Sequence, residues 1–280
     1  ACMCAAFRAS EPVLISSRRN PVVRQLRQLH SASGRREQGL LLLEGTHLAQ
    51  EALRLGLCPE QLLCSERWLA SHGPLLQALQ ELRQPPLPCT VVSDAVLAAV
   101  ATTEHPDGVV LSLRPPVPPA PQTLGFGLVL DGIQDPGNLG TLLRTALAAG
   151  IEQVWLAGGA DPWQPKVLRA SAGAALALSC RRGEPSQVHS WVREAASQGL
   201  QVVATLPPTQ GGQPYWQLDW RQPTLLLLGA EGPGLSGELL DLATARVCIP
   251  HNDAVESLNV AVAAAPLLLE RQRQERMPVN

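Results

Sequence analysis

From residue 124 onward, short apolar runs alternate with segments of helical periodicity, and this order restricts the folds available to the chain. The pattern predicts strands over residues 124–130, 153–157, 176–180, 201–205, 224–228 and 246–249. Helices are predicted over residues 139–149, 166–175 and 186–198, with a short helix from Ser236 and a final one from Ser257. Because repeated strand-then-helix order is typical of parallel sheets covered on both faces, we expect an α/β domain.

The N-terminal part predicts a second, smaller α/β domain. Strands are expected over residues 40–43, 61–64, 89–92 and 109–113, and helices over residues 21–30, 46–55, 66–82 and from Asp94. Thr46 is a plausible N-cap, and Pro21 sits where a first-turn proline is tolerated.

A proline-rich segment separates the two domains. Residues 114–121 contain five prolines, which cannot join a strand ladder and favour an extended spacer. The predicted organisation is an N-terminal domain over residues 12–113, a linker over 114–123 and a C-terminal domain over 124–280.

Composition indicates a soluble globular protein. Apolar residues make up 45% of the chain, and no apolar run approaches the roughly 18 to 20 residues that a membrane helix needs. The seven cysteines form no Cys-x-x-Cys pair and have no histidines at zinc-ligand spacing, so neither a metal site nor a disulfide framework is expected. A reducing compartment fits best; we expect the cytoplasm, with an organelle as the alternative.

The net charge of −2 hides a basic N-terminal stretch. Seven arginines precede residue 37 against a single acid, Glu11. One interpretation is a solvated basic arm; the other is a surface that follows RNA phosphates. Besides Arg8, the arginines of this stretch, which we predict to bind RNA, are Arg18, Arg19, Arg24, Arg27, Arg35 and Arg36.

Polar loops follow three of the predicted strands, at residues 131–144, 229–234 and 249–260. Ligands of open α/β sheets bind where such loops emerge. We expect Asn138 to cap the helix that follows the first loop and Arg144 to reach back toward that loop. Ser257 is expected to cap the last helix, and Glu231 must be solvated, capping or paired.

The glycines of residues 229–234 do not match a dinucleotide-binding fingerprint or a phosphate loop. A nucleotide-binding oxidoreductase is therefore disfavoured.

These three motifs, in this order and strand context, resemble the SpoU or TrmH branch of the SPOUT RNA 2′-O-ribose methyltransferases. Residues 16–21 and 43–52 are similar to that family's substrate-binding domain. The resemblance implies a deep trefoil knot in the C-terminal domain, a homodimer, and S-adenosyl-L-methionine (AdoMet) as cofactor, with no metal.

The resemblance also assigns roles to individual residues. It implies a catalytic set of Asn138, Arg144, Glu231, Ser257 and Asn259, and cofactor contacts through the backbone of Gly229, Ile249 and Leu258. Because a guanidinium is effectively never deprotonated, we expect Arg144 to stabilise alkoxide charge and grip a phosphate. His251 stands where the family often has methionine, which bears on loop geometry and substrate choice.

The separate N-terminal domain favours ribosomal RNA as the substrate over tRNA. A catalytically silent RNA-binding protein of the same fold is the alternative from another class. The presence of the whole catalytic set argues against it.

Overall fold

The computed structural model describes residues 14–277. The chain divides into two compact units, Ala1–Pro115 (unit 1) and Pro116–Asn280 (unit 2). None of the described helices is both long and apolar enough to cross a membrane.

Unit 1 is a small α/β structure. In chain order its described elements are α1 (Pro21–Gln28), α2 (Ala32–Gln38), β1 (Leu41–Glu44), α3 (Thr46–Arg54), β2 (Pro59–Cys64), α4 (Glu66–Ser71), α5 (Gly73–Glu81), β3 (Thr90–Val91), α6 (Asp94–Val100) and β4 (Val109–Leu113). The strands lie in the order β1-β4-β2-β3, with β4 antiparallel to both neighbours and β2 parallel to β3. Val23 and Leu26 of α1 and Val96 of α6 pack with strand residues in one buried core.

Three local predictions for unit 1 differ from the structure. The helix expected over residues 66–82 is two helices, because Gly73 and Pro74 follow His72, which leaves the helical conformation. Thr46 is not an N-cap; Gly45 holds that position with φ 97°, a value that favours glycine. Helix α2 was missed because its sequence has no apolar stripe, although Ser31 caps it by accepting from the Gly34 N–H at 3.1 Å.

One contact in unit 1 could not be read from sequence spacing. The Cys64 and Cys89 sulfurs lie 3.2 Å apart as free thiols. The hydrogen bond to Cys89 lowers the pKa of Cys64.

Unit 2 confirms the predicted parallel α/β architecture. Its described elements are β5 (Phe126–Asp131), α7 (Pro136–Ala148), β6 (Gln153–Ala157), α8 (Pro165–Ala170), α9 (Ala174–Ala177), β7 (Ser179–Gly183), α10 (Pro185–Ser197), β8 (Gln201–Leu206), β9 (Gln213–Pro214), β10 (Thr224–Gly229), α11 (Gly237–Leu242), β11 (Ala245–Cys248) and α12 (Val260–Arg276). The strands lie in the order β7-β6-β5-β10-β8-β11-β9, and every neighbouring pair is parallel. The carboxyl ends of β5, β8, β10 and β11 therefore meet at one edge.

The two sides of this sheet are covered by different helices. Helices α10 and α11 pack on one side through Val188, Val192 and Leu239, together with Val202 and Ala204 of β8. Helices α7 and α12 pack against each other, and α12 contacts β10. Because side chains alternate along a strand, Thr205 points away from the side that Ala204 faces.

The helix predicted over residues 166–175 is interrupted. Ala172 and Gly173 have positive φ angles of 49° and 82°, which end α8 and start the short α9. Strand β7 consequently begins at Ser179, three residues later than predicted.

Candidate functional site

Three of the predicted catalytic residues meet at the carboxyl edge of the unit 2 sheet. Asn138 Nδ2 donates to Glu231 Oε1 at 3.0 Å, and Asn259 Nδ2 donates to the same oxygen at 2.8 Å. Asn259 Nδ2 also lies 3.1 Å from Asn138 Oδ1. The Val260 N–H adds a longer contact to Glu231 Oε1 at 3.3 Å. We call Asn138, Glu231 and Asn259 the amide–carboxylate cluster.

Asn138 enters the cluster because a different residue caps α7. The expectation that Asn138 is the N-cap is wrong: Asp135 Oδ1 accepts from the Asn138 N–H at 2.7 Å, which places Asn138 in the first helical turn. Asp135 thus satisfies a helix N–H that would otherwise lack a partner. The Asn138 side chain is left available for Glu231.

The start of α12 differs from expectation in the same way. Ser257 does not cap this helix; Asn259 does, since its Oδ1 accepts from the N–H groups of Ala261 at 3.0 Å and Val262 at 3.2 Å. One Asn259 side chain therefore caps the helix with its oxygen and binds Glu231 with its nitrogen. Ser257 is exposed and makes no hydrogen bond within residues 14–277.

Arg144 lies outside the cluster. Its side chain is exposed on α7 and has no hydrogen bond or ion pair in the described part of the chain. Arg144 lies six positions after Asn138 in the helix, which places the two side chains about 120° apart around the axis. Its guanidinium is therefore free to meet a ligand from solvent.

The loop after β10 folds back tightly at Gly229. A Cβ atom added at Gly229 would lie 2.2 Å from the Gly234 carbonyl carbon, so a larger residue cannot be accommodated without moving the loop. The loop closes through a hydrogen bond from the Gly234 N–H to the Ala230 carbonyl at 3.0 Å. Asp131, opposite Gly229 in the sheet, accepts from the Ser236 N–H at 2.8 Å and fixes the far end.

A hydroxyl that sequence reasoning missed lies between the predicted cofactor-binding loops. Thr205 sits near the end of β8, with Val247 of β11 opposite it on one side and β10 on the other. Its Oγ1 is buried and has no hydrogen-bond partner among the residues described. Such a group is normally satisfied by protein, water or a ligand.

The residues at this edge fit AdoMet. Gly229 ends β10, and Ile249 follows β11 directly, so the two flank the end of β8. Leu258 is partly buried just before α12, and the Ile249 carbonyl accepts from His251 Nδ1 at 2.7 Å. The backbone cradle and the unpartnered Thr205 hydroxyl supply polar contacts of the kind that a nucleoside-containing cofactor requires.

Five of the six predicted RNA-binding arginines are exposed in unit 1: Arg18, Arg19, Arg24, Arg27 and Arg36. Arg35 is different. It is only 6% exposed and donates to the carbonyls of Leu29 at 2.9 Å and His30 at 3.0 Å. This position corrects its assignment, because Arg35 holds the α1–α2 turn together. Arg8 and Glu11 lie outside the described residues.

No group of three or more His, Cys, Asp or Glu side chains suited to a metal ion occurs within residues 14–277. The site consists of amides, carboxylates, hydroxyls and backbone.

A parallel α/β unit with a backbone cradle and a polar cluster at one sheet edge defines the class of α/β enzymes that bind a nucleoside-containing cofactor at strand ends. Residues 125–269 match the SpoU rRNA Methylase family, and residues 20–111 match the MRM3-like substrate binding domain. The chain belongs to the SpoU rRNA methylase family.

Relatives of this family match both units. An uncharacterized tRNA/rRNA methyltransferase of Synechocystis sp. is 44% identical, over 95% of this chain and 96% of its own. The 23S rRNA (guanosine(2553)-2′-O)-methyltransferase RlmP of Bacillus subtilis is 34% identical, over 91% of this chain and 97% of its own. The crystal structure of an AdoMet-bound rRNA methyltransferase from Sinorhizobium meliloti is 31% identical, with a TM-score of 0.80, over 95% of this chain and 99% of that one.

Proposed function

We propose that this protein transfers a methyl group from AdoMet to a ribose 2′-hydroxyl of ribosomal RNA. The observation that carries the proposal is the amide–carboxylate cluster, which stands at the sheet edge beside Gly229. The family match and the rRNA named for the Bacillus relative support the reaction and the substrate class.

The chemistry of each side chain determines the role that we assign to it in this reaction. AdoMet, when bound, supplies an electrophilic methyl group, and Gly229, Ile249, Leu258 and Thr205 are the residues that would hold it. Asn138 is fixed through Glu231 and Asn259, so the second N–H of its amide nitrogen is available to orient the ribose. Asn259 holds this arrangement in place, because its own amide atoms are used by Glu231, Asn138 and the cap of α12. Arg144 donates to the developing alkoxide and to the adjacent phosphate, as a planar guanidinium is suited to do. The 2′-hydroxyl proton leaves through water or a phosphate oxygen.

The proposal is tested by methyl transfer from radiolabelled AdoMet to separate pools of unmodified rRNA and tRNA. Nuclease digestion and nucleoside analysis then identify the product. We expect a labelled 2′-O-methylnucleoside in rRNA. Label in tRNA alone would favour a tRNA methyltransferase. If the protein binds RNA but neither binds AdoMet nor transfers a methyl group, the catalytically silent RNA-binding protein would be favoured.

We further propose that unit 2 forms the homodimer that the resemblance implies. Three large apolar side chains are exposed on the paired helices α7 and α12: Leu147 (38% exposed), Val262 (63%) and Leu269 (42%). Burying these apolar side chains against a second copy stabilises association. Light scattering should give the mass of a dimer, and Val262→Glu with Leu269→Glu should shift it toward the monomer. A wild-type monomer at micromolar concentration would overturn this proposal.

A further inference from the structure

Unit 1 contains a cleft of about 540 Å³, and none of the residues predicted to be catalytic, cofactor-binding or RNA-binding lines it. We call it the unit 1 cleft; its side chains include Arg67, Trp68, His72, Asp94, Glu104 and His105. Helix α4 follows β2 and α6 follows β3, while residues 104–108 lead into the antiparallel β4. All three segments therefore meet at one edge of the unit 1 sheet.

The cleft has a rigid aromatic wall. The rings of Trp68 and His72 stack with centroids 4.8 Å apart and planes 12° apart. Trp68 is held by a hydrogen bond from its Nε1 to Thr46 Oγ1 at 2.8 Å. It is also held by close packing on Gly108, where an added Cβ would lie 2.7 Å from the Trp68 Cβ. The His72 ring is thus backed by a fixed Trp68 ring, and histidine is one of the side chains on which RNA bases stack.

The polar groups of the cleft favour a ligand that carries N–H donors. His72 Nδ1 lies 3.2 Å from the Trp68 carbonyl oxygen and 3.0 Å from the Ser71 hydroxyl, so Nε2 is the ring nitrogen left for a ligand. The Asp94 and Glu104 carboxylates, which only accept, are exposed and have no partner in the described part of the chain. Arg67 adds donors. The Watson–Crick edge of guanine presents two N–H groups beside one carbonyl oxygen, which complements this set, whereas a phosphate would be repelled by the carboxylates.

An exposed arginine is tied to one of the helices of the cleft. Arg18 Nε donates to the Ala95 carbonyl at 3.2 Å, which ties this exposed arginine to α6, a helix that lines the cleft. A nucleotide whose base enters the cleft would have its phosphate close to Arg18.

We propose that the unit 1 cleft binds an unpaired guanine base of the RNA substrate, with the base against His72 and its N–H groups on Asp94 and Glu104. The inference rests on the proposed function for the class of ligand, RNA, and it assigns a specificity site outside the methyl-transfer site. Single-stranded loops are the parts of RNA whose bases can be read in this way.

The test compares three fluorescent RNA heptamers, with guanosine, inosine or adenosine at the centre of a uridine strand, in binding to the full-length protein. Inosine lacks only the N2 amino group. We expect the guanosine heptamer to bind at least about fivefold more tightly than the inosine heptamer, because inosine loses the hydrogen bond from N2 to a carboxylate. Asp94→Asn combined with Glu104→Gln should abolish that preference, whereas Asp241→Asn, an exposed acid in unit 2, should preserve it.

Arg18→Ala provides a separate readout. It should weaken all three heptamers by a similar factor and leave the guanosine preference intact, as expected for a phosphate contact. Equal binding of the three heptamers by the wild-type protein, or an unchanged preference in the double variant, would overturn the cleft assignment. If the protein methylates rRNA but shows no guanosine preference, the guanine site is wrong and the proposed activity stands. If it prefers guanosine but transfers no methyl group, the proposed activity is wrong and the guanine site stands.

Discussion

Asn259 Nδ2 and Glu231 Oε1 are joined by a 2.8 Å hydrogen bond that spans 28 residues of sequence. The bond ties the start of α12 to the loop after β10, and the same oxygen also holds Asn138 of α7. Glu231 therefore works as the common acceptor for two helix starts, whose N-terminal dipole ends favour a negative charge.

Removing that acceptor should release both asparagines. Glu231→Ala is expected to lower the methyl-transfer rate on rRNA by about a hundredfold, the usual cost of losing pre-positioned polar groups. Single-turnover kinetics at saturating AdoMet would measure it, with Asp241→Ala as a matched loss of an exposed carboxylate. A wild-type rate in the Glu231 variant would show that the cluster has only a structural role.

Arg144→Ala should abolish transfer and leave AdoMet affinity nearly unchanged, because the Arg144 side chain has no hydrogen bond or ion pair in the described chain and is assigned to the RNA. Arg144→Lys keeps the charge but loses the planar fork, so we expect it to remain impaired by at least about tenfold. Calorimetry gives the AdoMet affinity, and transfer assays give the rate. Loss of cofactor binding in a folded Arg144→Ala protein would contradict this division of roles.

Thr205→Val replaces the buried hydroxyl with a methyl group of similar shape. If Thr205 Oγ1 binds AdoMet, the Kd for AdoMet should rise about threefold to tenfold, the value of one hydrogen bond. Thr123→Val, an exposed threonine ahead of β5, serves as the control. Equal affinities for AdoMet in the two variants would remove Thr205 from the cofactor site.

Glu44 should be a stability determinant of unit 1. Its carboxylate is 5% exposed and accepts from the Thr102 N–H at 2.8 Å, from the Thr102 hydroxyl at 2.9 Å and from both donors of Thr103. In Glu44→Gln an amide NH2 faces some of these donors, so we expect a loss of about 1–3 kcal/mol in the free energy of unfolding. Urea denaturation of this variant and of the exposed Glu37→Gln would test it; equal stabilities would refute it.

The sequence predicted the sheet edge well because buried parallel strands are nearly continuous apolar runs. The loops after β5, β10 and β11 could then be placed together, and with them Asn138, Glu231 and Asn259. The sequence could not choose between neighbouring capping residues. Asp135 and Asn259 are short polar residues that cap helices about as well as the predicted Asn138 and Ser257.

Other features depend on contacts that no local pattern reveals. Arg35 belongs to a basic run yet is buried by the α1–α2 turn, and Thr205 looks like an ordinary strand residue. The trefoil knot expected from the resemblance and the cytoplasmic location expected from the cysteine pattern remain predictions.

The amide–carboxylate cluster draws one member from α7, one from the loop after β10 and one from the cap of α12, the final helix described. During synthesis, Asn138 is made 121 residues before Asn259, and Glu231 is made 28 residues before it. A nascent chain therefore cannot assemble the cluster until α12 has docked, so the site forms only after both units have been almost entirely synthesised.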